Sequence, residues 1–186
     1  ASATFKRRAG LGGDSFRPRH LDMLDDEGLD SLIDVFMLME QFLVIPSLAQ
    51  LLLVVFIPKA SGGFRPIGVF CSFMRVWTRL RRPEVRAWEL RCQRKYMWGG
   101  MGKPADAAAW SMAFYSEASA ALNCFAVAGL VDIVKCYEQV DHAVLMQACV
   151  AVGFPIRLAS VAILSYRVPL RVSLNKCGTT PFEVTR

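Results

Sequence analysis

Two short apolar runs set close together constrain this chain more than any other feature. Leu51–Ile57 is continuously apolar and rich in Val and Leu, Phe64–Phe70 is a second short apolar run, and Lys59–Gly63 separates them with Ser61-Gly62-Gly63 at its centre. Valine favours extended backbone, and adjacent glycines supply the positive φ angles that a tight reversal needs. The pattern predicts two antiparallel strands joined by a loose basic tip. Phe42–Ile57 is too short for a typical membrane span and contains Pro46 and Gln50, so a turn and a strand are expected there, and no membrane partner.

Helical signals flank the hairpin. From Asp26 to Phe42 the apolar residues Leu29, Leu32, Ile33, Phe36, Met37 and Phe42 recur at helical spacing, with Pro46 marking the exit. Beyond the hairpin, Phe73, Val76, Trp77 and Leu80 form one helical face and Arg75, Arg79 and Arg82 another. Pro83 disfavours helix at Arg82, so this stripe is expected to bend there. Pro104–Leu122, dominated by Ala with Trp110, Met112, Phe114 and Tyr115, reads as a buried helix, and the apolar Phe125–Val131 reads as a central strand ending at Asp132. Asp141 is expected to cap a helix running through Val152, with Gly153 as its stop. Pro155 opens a further helix to about Tyr166, and Leu170–Leu174 is a last strand. The first twenty residues mix Lys6, Arg7 and Arg8 with Gly10, Gly12, Gly13 and Pro18, the composition of a basic, irregular arm.

The net charge of +6 is concentrated rather than spread. Arg75, Arg79, Arg81, Arg82, Arg86, Arg91, Arg94 and Lys95 stand against Glu84 and Glu89, so eight minus two equals the whole excess. A focused patch of this kind suits a polyanion, most often nucleic acid, or an anionic membrane surface, although a solvated helix face has the same composition. The six cysteines contain no C-x-x-C and only His20 and His142 could join them, which argues against zinc and leaves free thiols in a reducing, intracellular compartment as the simpler expectation.

The segment Val131-Asp132-Ile133-Val134-Lys135-Cys136-Tyr137-Glu138 carries the most specific chemistry. A carboxylate at a strand end suits a hard divalent cation, and nucleotidyl transfer uses two such ions about 4 Å apart to clamp the attacking and leaving oxygens. An Asp in that place also serves as an ordinary turn or cap residue. Asp132–Tyr137 resembles motif A of reverse transcriptases, an Asp followed after a short interval by Phe or Tyr. Ile57-Pro58-Lys59 through Gly62-Gly63-Phe64-Arg65-Pro66-Ile67-Gly68 resembles the fingers segment of LINE-like retroelement enzymes, and the two lie in that family's order. Phe5–Asp14 and Pro18 are similar to the arm before the fingers, and Val76–Arg79 to the helix after them, so the likeness spans nearly all of the chain.

The resemblance implies roles. Asp132 would be the catalytic aspartate and a ligand of Mg²⁺ or Mn²⁺, helped by the backbone carbonyl of Ile133, with two ions in the complete enzyme. Lys59 and Arg65 would hold the triphosphate of an incoming deoxynucleotide. Tyr137 would be the steric gate beneath the sugar, with Cys136 lining the same pocket. Arg75, Arg79, Arg82 and Arg86 would contact the RNA template or DNA primer through phosphates. Trp77 belongs to the apolar face, while Trp88 and Trp98 interleave the patch.

One absence matters. After Asp132 the only acids are Glu138, Asp141 and Glu183, with no Asp-Asp pair to complete a two-metal site, so this polypeptide alone is not expected to polymerise DNA. The expected fold is α/β in the α+β sense: a basic arm over 1–20, helix-rich fingers with a β-hairpin over 21–122, and an incomplete antiparallel palm over 123–186, with the later palm and thumb supplied from outside the chain. Two other readings fit the same residues, a non-catalytic nucleic-acid-binding module using Arg75–Lys95 and a helical scaffold without a ligand.

Overall fold

The computed structural model describes residues 5–6, 10–94, 98–99, 104–129, 131, 139–174 and 177–183. Asp25 starts helix α1 (Asp26–Phe42) by accepting the Gly28 amide at 2.9 Å, and Asp26 and Glu27 fill the first turn, where negative charge meets the positive end of the helix dipole. The helix stops where Leu43 turns left-handed, at φ 53°. A 3₁₀ turn, Ser47–Ala49, then leads into strand β1 (Leu52–Pro58), which pairs antiparallel with β2 (Phe64–Phe70) from Leu52↔Phe70 to Pro58↔Phe64. The hairpin and α1 therefore form where the sequence places them.

Helix α2 (Ser72–Cys92) is longer than its apolar face suggests and continues past Pro83. The ring removes one backbone donor, so the Arg79 carbonyl loses its partner four residues on. Packing at both ends offsets this cost. Met74, Val76 and Trp77 are buried on one side of Pro83, and on the other Trp88 donates to the Val152 carbonyl at 3.0 Å and meets the Phe154 ring edge-on at 4.9 Å.

Two expectations fail further along. Helix α3 (Ala105–Ala121) forms, but none of its residues is buried, and Trp110 is 76% exposed. Its alanines give it helical propensity without a one-sided apolar stripe to dock. Residues 124–129 take neither helix nor strand, and Phe125 and Val127 stand open to solvent. A strand apolar on both faces needs neighbours on both edges and layers above and below, and the sheet is completed instead by residues much later in the chain.

Helix α4 (His142–Ala151) is capped by Asp141, whose Oδ1 accepts the Ala143 and Val144 amides at 2.7 and 3.0 Å, and Gly153 follows at φ 64°. Those two amides, Val144 first, hold the Asp141 carboxyl below its ordinary pKa. A depressed carboxylate stabilises the fold above the ordinary carboxylate range and loses that contribution as pH falls through the lowered value. Asp141→Ala should therefore melt below the parent at neutral pH, with the two melting curves converging in acid. Asp141→Asn, which still accepts a hydrogen bond, should keep most of the difference.

After helix α5 (Ile156–Ser165), strand β3 (Leu170–Leu174) lies parallel to β1, from Leu52↔Leu170 to Val55↔Ser173, and β4 (Cys177–Gly178) returns antiparallel to β3. The sheet order is β2-β1-β3-β4, so the sheet is mixed rather than antiparallel. One core joins Phe36 and Met39 of α1, Met74, Val76 and Trp77 of α2, and Leu158 and Val161 of α5, with Leu52 and Phe70 of the hairpin packed against it. Early and late parts of the chain thus share both a sheet and a core, and the fold is a helix-rich α+β arrangement.

Candidate nucleotide and nucleic-acid interface

The hairpin tip is built on glycine. Gly62 and Gly63 take φ angles of 88° and 77°, which side chains rarely tolerate, while the Lys59 amide donates to the Gly63 carbonyl at 3.0 Å and the Gly62 amide to the Lys59 carbonyl at 3.1 Å. No atom lies within 4 Å of where a Cβ would stand at either glycine, so the tip is open on all sides. Arg65 pairs across the ladder with Ile57, one step from the Pro58↔Phe64 pair that precedes Lys59. Both basic residues are exposed at the same end of the hairpin. A flexible ammonium and a planar guanidinium so placed can close on the oxygens of one phosphate group.

The second basic element is α2. At about 100° per residue, Arg75, Arg79, Arg82 and Arg86 fall within an arc of about 60° and extend roughly 16 Å along the axis. Arg79, Arg82, Pro83 and Arg86 line an open groove of about 420 Å³. Arg75 differs from the others. Its Nη1 donates to the Gly10 carbonyl at 2.6 Å and its guanidinium lies 5.4 Å from the Phe5 ring centroid, so it is committed to the N-terminal arm. Arg79 covers the same ring at 4.6 Å. Arg81 points elsewhere, into an ion pair with Glu40 of α1. Trp77 is buried, and Trp88 is partly buried with its Nε1–H donated to the Val152 carbonyl.

Among its described residues the arm is pinned, and its last residues enter a 3₁₀ helix, Pro18–Met23. Asp14 is the residue that sequence reasoning missed. Cys71, at the N-cap of α2, provides no side-chain cap, and Asp14 Oδ2 instead accepts the Ser72 amide at 2.7 Å while Oδ1 accepts from Phe16 at 3.3 Å. The Ser72 hydroxyl donates to the Phe16 carbonyl, and Gly12 and Pro18 are buried. The clue was the Gly12-Gly13-Asp14 sequence, two residues without side chains before a short acceptor, which suits close backbone approach followed by capping. Burial pushes the Cys71 thiol above its ordinary pKa, so this cysteine packs rather than reacts.

Asp132, Ile133, Cys136 and Tyr137 lie outside the described residues. Among the described residues no three His, Cys, Asp or Glu side chains converge as metal ligands. No helix among the described residues is long and apolar enough to cross a membrane. No protein-family model and no curated protein matches the chain.

Proposed function

We propose that this chain is the fingers and early palm of a reverse transcriptase, a part that holds nucleotide and nucleic acid and leaves polymerisation to carboxylates it does not contain. The observation that carries the reading is the continuity of the hairpin with α2. A glycine-loosened tip presents Lys59 and Arg65, its second strand ends at Phe70, and the helix that starts two residues later displays an arginine face. In this reading Lys59 and Arg65 take the triphosphate of a deoxynucleotide, while Arg79, Arg82 and Arg86 take backbone phosphates of template or primer. Asp132 and the Ile133 carbonyl would contribute to a Mg²⁺ or Mn²⁺ site, and Tyr137 with Cys136 would line the sugar pocket. Metal chemistry at Asp132 would need further carboxylates, so the chain alone is assigned binding and no catalysis.

A second reading, a nucleic-acid-binding module without nucleotide recognition, is favoured by the groove alone, which consists wholly of described residues. Two measurements on the full chain decide between them. Fluorescence anisotropy with a labelled RNA–DNA primer–template should give binding that weakens steeply with salt and is lost in Arg82→Glu/Arg86→Glu. A thermal-shift titration with a deoxynucleoside triphosphate should raise the melting midpoint of the parent but not of Lys59→Ala/Arg65→Ala. Nucleic-acid binding without any triphosphate response would select the module, and salt-insensitive or absent binding would sink both.

A further inference from the structure

We propose that Phe5 is a positioning residue for an arginine fork, and that it orients Arg79 to take a backbone phosphate of a nucleic-acid strand in the α2 groove. The inference rests on the nucleic-acid reading of that face. Phe5 is half-buried against the core, so its ring is a fixed platform rather than a loose side chain. Two guanidiniums lie over it, Arg75 at 5.4 Å and Arg79 at 4.6 Å from the centroid. Their situations are unequal, because Arg75 is tied to the Gly10 carbonyl at 2.6 Å whereas Arg79 lines the groove.

The geometry suits phosphate. A guanidinium lying over a ring uses its π face, and its N–H donors, which lie in the guanidinium plane, are left to meet an acceptor at the edge. Among the described residues the side chains of Arg79 and Arg86 make no hydrogen bond or ion pair. Arg79 and Arg86 are separated by about 10 Å along the helix, with Arg82 between them, enough to meet more than one phosphate of a strand. Free arginine side chains lose rotamer freedom on binding, and a ring that has already ordered one of them reduces that loss. Phe5 thus acts through Arg79 and touches no ligand itself.

Anisotropy of a fluorescein-labelled oligouridylate, read across a salt titration with the full chain, tests this. Phe5→Leu should weaken binding about fivefold. It should also flatten the slope of log affinity against log salt by about 0.7, the share of one phosphate contact on a single strand. Phe5→Tyr should restore both values. Arg79→Gln should match Phe5→Leu, and the double variant should add nothing further. A loss of packing alone would lower the melting midpoint without changing the slope. If Arg82→Glu/Arg86→Glu abolishes binding but neither Phe5→Leu nor Arg79→Gln alters the slope, the role given to Phe5 is wrong and the groove stands. If the parent shows no salt-sensitive binding, the groove reading fails and this one fails with it. Should Phe5→Leu not fold, Arg79→Gln decides alone, since an unchanged slope there overturns the proposal.

Discussion

Glu40→Ala should cost about 3 kcal/mol of stability, measured by urea unfolding of the full chain. Glu40, near the end of α1, gathers three donors from α2. Its Oε1 accepts from Trp77 Nε1 at 2.6 Å and from Arg81 Nε at 2.5 Å, and its Oε2 accepts from Arg81 Nη2 at 2.9 Å. The carboxylate is well shielded, with 13% of its side-chain surface exposed against 34% for Arg81. Truncation would strand a buried indole N–H and leave a guanidinium in a half-dry site, and unpaired groups cost more than the pair contributes when intact. Glu40→Gln, which keeps acceptor and donor capacity but no charge, should fall between parent and Ala. A cost below about 0.5 kcal/mol, the range of ordinary surface substitutions, would show that this contact does not join the two helices.

Gly12→Ala should be almost as damaging, at about 2 kcal/mol, and should release the arm. A Cβ at Gly12 would stand 2.4 Å from the Phe70 carbonyl oxygen and 2.8 Å from the Cys71 Cα. Both are backbone atoms at the junction of β2 and α2, so no rotamer change can make room. The arm would have to move, taking Asp14 away from the α2 N-terminus and the Gly10 carbonyl away from Arg75. Limited trypsin digestion should then cut faster after Arg19, since Pro18 protects the bond after Arg17, alongside a lower melting midpoint. Gly10→Ala is the control, because nothing lies within 4 Å of a Cβ there. Equal trypsin resistance in Gly12→Ala and Gly10→Ala would remove the steric argument.

These sites show where the sequence was readable. The bounds of α1, the hairpin, the Asp141 cap and β3 depend on neighbours within a few positions, so periodicity, glycine pairs and capping residues announce them. The Arg79, Arg82 and Arg86 face was legible for the same reason, being a helical spacing. What stayed hidden depends on distant partners. Nothing near Asp14 says that it caps a helix beginning at Ser72, and nothing near Arg75 says that the Gly10 carbonyl and the Phe5 ring divert it from solvent. Phe125–Val131 and α3 mislead in the opposite direction. Their composition specifies apolar surface, whereas burial requires a partner element, and the described fold gives them none. The mixed sheet also escaped reading, because a parallel pairing of β1 with β3 leaves no local signature.

That parallel pairing also fixes an order of events during synthesis. The hairpin can close as soon as Phe70 leaves the ribosome, but the other edge of β1 must wait for Leu170–Leu174. At ordinary elongation rates the interval is roughly ten seconds, far longer than a hairpin needs to form. Throughout it Leu52–Val55 offers an unpaired apolar edge to any extended segment nearby. The yield of native chain should therefore depend on the race between translation of β3 and edge-to-edge association, a race decided by growth temperature and chaperone supply.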